Sequence, residues 1–312
     1  MGAANNSRQT GGALGERRVP MLVFSLAFFA SGCGGGENPS PGPDSPPVVV
    51  AAGDIAECKN DNDAATARLV DGIDGTVLTL GDNAYPLGTP QQFTDCYGPT
   101  WGRFKDRTKP AIGNHEYYTK GANGYFGYFG VAAGDPNKGY YSYDLGEWHV
   151  VALNSNCEEV GGCGEDAPQV RWLEDDLAEN EDRACTLAYF HQPLFTSGEY
   201  RPGTPKVGSL WGALYAAGAD VVFSGHDHKY QRFAPQDPDG RADPERGIRQ
   251  FVVGTGGGER NYAIEDPIEN TESYNDDTDG VLKLTLRATR YDWKFVPVAG
   301  GDFSDSGSGR CR

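Results

Sequence analysis

The run Ala219-Asp220-Val221-Val222-Phe223-Ser224 leads directly into Gly225-His226-Asp227-His228. A short apolar run of this kind reads as a buried strand, and the glycine marks where it stops. In extended chain, residues i and i+2 point to the same side, so His226 and His228 can face one site. Two imidazoles at one strand end are an economical way to hold a metal. The chain has only five histidines, and His115 and His191 also follow apolar runs, Pro110-Ala111-Ile112 and Thr186–Phe190. A fold that serves this pattern must bring several strand ends to one place.

Further strand-end motifs are Gly53-Asp54, Gly81-Asp82-Asn83-Ala84-Tyr85, Gly113-Asn114-His115-Glu116 and His191-Gln192-Pro193. Taken singly, a Gly-Asp after a strand is a turn and a lone histidine packs in a core. Together they offer carboxylate, amide and imidazole donors without a thiol, a set suited to Mn, Zn or Fe rather than to a soft metal or calcium. Gly254-Thr255-Gly256-Gly257-Gly258 lacks the Lys-Ser/Thr and the helix of a phosphate cradle, so it reads as a tight strand-to-loop turn.

Around these motifs the pattern predicts strands at 48–52, 76–80, 109–112, 185–190, 219–224 and 250–253. Helices are expected at 63–70, within 91–104, at 168–180 (Val170, Leu173 and Leu177 on one face) and at 207–217. Tyr140–Leu145 with Trp148–Asn154, and Val281–Leu286 with Tyr291–Val296, read as hairpins. Alternation of strands and helices followed by antiparallel pairs implies an α/β fold with α+β character, mixed sheets or a sandwich of sheets with helices outside. Residues 300–312 read as a polar tail held only by Cys311.

The start of the chain stands apart. Arg17-Arg18, the apolar run Val19–Ala30 and the small residues before Cys33 have the layout of a secretory signal. That run is too short for the ~20 residues of a membrane-spanning helix. Its Ala30-Ser31-Gly32-Cys33 ending resembles a bacterial lipobox, which implies cleavage after residue 32 and a lipid anchor on Cys33; ordinary cleavage with Cys33 left as a thiol is the competing reading. Residues 33–46 form a Gly/Pro/Ser tether, and the catalytic domain is expected over 47–299. Of seven cysteines, Cys33 leaves an even set, as an oxidising compartment favours. The expected pairs are Cys157–Cys163 by proximity, Cys58–Cys96 at motif-bearing strand ends, and Cys185–Cys311 from what remains. A net charge of −17, more negative still without residues 1–32, argues against nucleic acid as a partner.

The ordered motifs from Val48 to Arg232 resemble the calcineurin-like metallophosphoesterases, and within them the purple acid phosphatases. The resemblance implies a β-sandwich flanked by helices and a binuclear metal centre, with Asp54, Asp82, Tyr85 and His228 on one metal and Asp82, Asn114, His191 and His226 on the other. The general pattern opens Asp-x-His, whereas Asp54-Ile55-Ala56 has alanine in that place. Tyr85 then stands where purple acid phosphatases supply a tyrosinate, which implies Fe(III) paired with a divalent Fe, Zn or Mn. His115 would be the catalytic histidine, binding phosphate or protonating the leaving group. Some relatives use a further histidine near His191; here the loop Glu199-Tyr200-Arg201 could contact substrate instead. Asp227, Tyr230, Arg232 and His149 are expected to be structural. The implied activity is hydrolysis of phosphomonoesters by a metal-held hydroxide, facing the periplasm or cell exterior. Alternatives are diester or nucleotide hydrolysis at the same centre, or a non-catalytic binding module.

Overall fold

The computed structural model describes residues 45–260 and 262–312. The expected leader, Cys33 and the tether up to residue 44 lie outside them. The chain begins with β1 (Val48–Ala52), β2 (Ala56–Glu57), α1 (Asn62–Asp71), β3 (Thr76–Leu80) and β4 (Ala84–Tyr85). After α2 (Pro90–Gln92) come β5 (Thr108–Ala111), α3 (Asn114–Tyr117) and α4 (Asn123–Phe129). Next are β6 (Tyr141–Leu145), β7 (Trp148–Ala152), α5 (Pro168–Glu179), β8 (Cys185–Tyr189), α6 (Gly208–Ala216) and β9 (Val221–Ser224). Strands complete the chain: β10 (Tyr230–Phe233), β11 (Arg249–Val253), β12 (Thr271–Asn275), β13 (Gly280–Arg287), β14 (Arg290–Pro297) and β15 (Ser306–Arg310).

Thirteen of these strands form two mixed sheets, ordered β15-β14-β13-β1-β3-β5 and β12-β10-β11-β9-β8-β7-β6, and β2 pairs in parallel with β4. Strands β1, β3 and β5 run parallel in the first sheet; β7, β8, β9 and β11 do so in the second. Strand alternation assigns the layers. Val150, Leu187, Tyr189, Val221 and Phe223 face the core between the sheets. Their neighbours Val151, Ala188 and Val222 face α5 and α6, where Val170, Leu173, Leu177, Trp211 and Leu214 cover them. The architecture is therefore a two-sheet sandwich with helices outside, as the strand and helix pattern implies.

Two local expectations change. The helix expected within 91–104 is broken into α2, a wide turn at Phe93–Tyr97 and a tight one at Trp101–Arg107. Phe93, Tyr97, Tyr125, Tyr128 and Phe129 pack ring against ring there, so aromatic contacts override the regular helical period. The C-terminal tail is not merely tied at Cys311. Ser306–Arg310 pairs antiparallel with Arg290–Lys294 as an edge strand, and Asp305 receives hydrogen bonds from Tyr230, Arg232 and Trp293. Its glycines make this possible: a Cβ at Gly307 would sit 2.4 Å from the Trp293 ring, and one at Gly309 2.2 Å from that of Tyr291. The three expected disulfides, Cys58–Cys96, Cys157–Cys163 and Cys185–Cys311, are all formed.

His149 on β7 is buried, with Asp176 of α5 at 2.9 Å and Asp144 of β6 at 3.1 Å. Burial alone would lower its pKa, but the bonds and charges of Asp176 and Asp144 outweigh it and the pKa is raised. The stabilisation is whole below the free imidazole value of about 6.5 and is lost as pH rises through the raised folded value. Thermal melts of the wild type and His149→Gln should differ most at low pH and converge with alkalinity. Parallel curves across that range would contradict the charged triad.

Candidate metal centre

The carboxyl ends of β1, β3, β5, β8 and β9 meet at one edge of the sandwich. The Gly53 N–H donates to Val253 O (2.8 Å), joining β1 of one sheet to β11 of the other, and Gly225 N–H donates to His191 O (3.0 Å). The glycines of the motifs are present mainly for space. A Cβ at Gly113 would lie 2.0 Å from Asp82 Oδ1, and one at Gly225 2.6 Å from Asp54 Oδ2. Only Gly81 (φ +87) also requires the left-handed region, and its missing Cβ leaves room for the His191 ring.

Seven expected ligand residues converge there. The Tyr85 hydroxyl lies 2.8 Å from Asp54 Oδ1, 3.1 Å from Asp82 Oδ2 and 2.9 Å from His228 Nε2. His191 Nε2 lies 3.2 Å from the same Asp82 oxygen, 3.0 Å from Asn114 Oδ1 and 3.1 Å from His226 Nδ1. Asp82 Oδ2 thus belongs to both groups of donors. His115 stands beside them, its Nε2 3.8 Å from that oxygen. Asp54 and His191 are fully buried and Asp82 nearly so.

Backbone carbonyls fix two of the rings. The Nδ1–H of His191 donates to Leu80 O (2.9 Å) and that of His228 to Glu259 O, which turns each Nε2 lone pair inward. Those lone pairs then face Asp82 and Asn114 on one side and Asp54 on the other. Acceptors gathered against acceptors in a buried space require a proton or a cation between them. Burial works to neutralise both imidazoles, yet Asp82 pushes His191, and Asp54 pushes His228, up to about 9. Burial and the neighbouring imidazolium hold His226 down at about 3. Burial first, then Asp54 and Asp82, push the Tyr85 phenol well above its usual value, so its proton rests on a hydrogen bond to Asp54. This donor set fits two cations.

The backbone is strained at the same place. Among the described residues, five non-glycine positions have positive φ, and three of them are Asp54 (59°), Asp82 (50°) and His226 (70°). Each costs about 1–3 kcal/mol and persists because surrounding bonds determine it, as at His226, whose N–H donates to Asp54 Oδ2 (2.8 Å).

Two contributors are not visible in the sequence as site residues. Glu116 is fully buried and accepts N–H bonds from Asn83 (2.7 Å), Gly113 (2.7 Å) and Asp82 (3.0 Å), clamping the β3 and β5 ends together. Burial and the Asp82 charge raise its pKa to about 7, against those bonds. Second, the glycine run at 254–258 wraps the Asp54 backbone, with Gly256 N–H on Gly53 O and Gly258 N–H on Asp54 O. This is a close-packed turn, as read from its sequence. Of the loop expected to contact substrate, Tyr200 lies on His226, while Arg201 turns to the Asp266 carbonyl (2.8 Å) and away from the site. Asp227 accepts from Thr196 Oγ1–H and Glu199 N–H, a structural place.

A calcineurin-like phosphoesterase family model matches residues 47–230. Purple acid phosphatase 15 of Arabidopsis thaliana is 28% identical over 256 residues, 70% of this chain and 47% of that protein. Purple acid phosphatase 1 of Ipomoea batatas is 28% identical over 218 residues, 62% of this chain and 44% of that one. The chain therefore spans about half the length of these curated relatives. The solved purple acid phosphatase from yellow lupin (Lupinus luteus) seeds superposes with a TM-score of 0.62 at 21% identity, covering 86% of this chain and 55% of that one. GAP50, described as the anchor in the inner membrane complex of Plasmodium, also gives 0.62, at 13% identity, covering 86% and 90%. These two structures share the fold.

Glu116→Gln keeps the shape but turns an amide NH2 toward backbone N–H donors. Urea unfolding should show a loss of about 1–3 kcal/mol, and metal titration a weaker site. Unchanged stability would remove Glu116 from its clamping role.

Proposed function

The chain belongs to the calcineurin-like phosphoesterase family, and from that premise we propose that it is an exported phosphatase hydrolysing phosphomonoesters at a two-metal centre. Asp54, Asp82, Tyr85 and His228 would hold one metal, and Asp82, Asn114, His191 and His226 the other. The observation that carries this reading is the placement of Asp82 Oδ2 between Tyr85 Oη (3.1 Å) and His191 Nε2 (3.2 Å), where one carboxylate oxygen serves two donor groups. Such a pair supplies Lewis acidity toward phosphoryl oxygens and lowers the pKa of water. The donor set carries the reading, since a shared fold does not by itself imply a shared activity.

The residues of the chain orient and move protons. Asp82 is held by the N–H of His115 on Oδ1 (2.9 Å), which leaves Oδ2 for the centre. His115 donates its Nδ1–H to Pro86 O (2.7 Å), so Nε2 faces the pocket, where the ring can donate only when it holds a second proton. From there it can bind a phosphoryl oxygen or protonate the departing alkoxide. Burial of Asp54, Asp82 and His191 excludes water from the donor side.

Residues 1–32 would be removed on export, with Cys33 lipid-anchored and 34–46 as tether. Three disulfides in the described chain support an oxidising compartment. Tyr85 in place of a motif histidine supports Fe(III) beside a divalent ion, with the phenol proton displaced on binding.

Metal analysis and a visible spectrum of protein lacking residues 1–32 test this directly. Two metals per chain and a tyrosinate-to-iron band absent from Tyr85→Phe are expected; two colourless metals without a band would discard the iron centre. His115→Gln should lower kcat on phosphomonoesters about 10²-fold or more with metal content unchanged. Strong preference for diesters over matched monoesters would replace the monoesterase reading.

A further inference from the structure

The pocket above the donor cluster measures about 400 Å³ and is walled on its outer side by Pro86, Gln92 and Tyr200. The Tyr200 ring lies nearly flat on His226, with centroids 4.0 Å apart and planes inclined by 21°. The residue is 43% exposed. Tyr118, 61% exposed, leans on His115 with centroids 4.8 Å apart. Leu87, 46% exposed, follows Pro86 and is tied to the same rim by Thr119, whose hydroxyl donates to its carbonyl (2.6 Å). Among the described residues six large hydrophobic side chains are exposed, and these are three of them. Two imidazoles of the site thus each carry an exposed tyrosine, Tyr200 in the lining of the pocket and Tyr118 beyond it against His115.

The charge around the opening has the opposite character from a polyphosphate site. Glu57, Glu199 and Glu259 line it. The exposed ammonium there, Lys59, is committed to Glu57 (3.1 Å) and Glu259 (2.5 Å). Lys229 is buried at 2% exposure, and Arg201 is turned to Asp266. A second phosphate on the substrate would meet carboxylates without an uncommitted exposed cation.

We infer that this site, on the phosphatase reading above, takes monoesters whose alcohol carries a planar aromatic group and no further phosphate, with Tyr200 and Tyr118 as the platform for that group. Stacked and edge-on contacts with two tyrosines favour an aromatic ring over an alkyl chain of similar size.

Calorimetry on the metal-loaded protein tests binding apart from turnover, using benzylphosphonate, n-butylphosphonate and inositol hexakisphosphate. Benzyl and n-butyl phosphate serve as the matching substrates, because both leave as alkoxides of similar reactivity. Benzylphosphonate should bind about tenfold tighter than the butyl compound, and KM should show the same order. Tyr200→Ala and, separately, Tyr118→Ala should shrink that ratio, with metal content measured on each; Tyr200→Phe should keep it. Equal affinities for the two phosphonates overturn the platform whether or not esters are hydrolysed. Inositol hexakisphosphate binding as tightly as benzylphosphonate overturns the exclusion of polyanions. Tight benzylphosphonate binding without turnover of benzyl phosphate overturns the phosphatase reading and leaves the aromatic platform standing.

Discussion

A single buried carboxylate sets the terms for the structure. Asp82 lies at the end of β3, with one oxygen on the His115 N–H and the other shared between Tyr85 and His191. An anion so deeply removed from water is tolerable only if positive charge or donors meet every lone pair. The remaining strand ends supply them. Glu116 fixes the turn on which Asp82 sits, Leu80 O aims His191, and the glycines at 81, 113 and 225 leave the space these contacts need. The two sheets meet where this one group is satisfied from both sides.

That concentration of charge also explains where strain is kept. Left-handed backbone at Asp54, Asp82 and His226, each directly after a strand-end glycine, turns side chains from three distant parts of the chain inward to one place. Continued extended strand would instead send successive side chains to opposite faces. The surrounding sandwich supplies the compensation: its inner faces are buried aliphatic and aromatic residues, and its outer face on the second sheet is covered by α5 and α6. A rigid frame and a strained edge are parts of one arrangement.

Much of this was legible in the chain because it is written in strong local signals. Buried strands end in glycine and polar residues, and the amphipathic period of Pro168–Glu179 and the hairpin at Gly146-Glu147 follow elementary rules. The convergence of Asp54, Asp82, Tyr85, Asn114, His115, His191, His226 and His228 could be anticipated because every one follows a strand end. What escaped depends on partners distant in sequence. Glu116 looks like an ordinary helix-start acid until its backbone partners at 82 and 83 are in place. The polar segment Ser306–Arg310 has no apolar alternation, and becomes a strand only because its glycines lie over Trp293 and Tyr291. The aromatic cluster around Phe93 and Tyr97 breaks a helix that propensity alone would continue.

The Cys185–Cys311 bridge has a position that matters beyond its own strength. Cys185 opens β8, whose far end carries His191, and Cys311 follows β15 at the margin of the other sheet. Nearby, Arg312 N–H bonds Asp220 at the start of β9, and Trp148 Nε1–H bonds Arg287 O across the sheets. The sandwich is sewn covalently at its base, and at its crown the two sheets are joined by the hydrogen bonds and ion pairs of the donor cluster. Segments that decorate the crown can therefore be exchanged or lengthened without loosening the frame, so that one scaffold could accommodate many different rims.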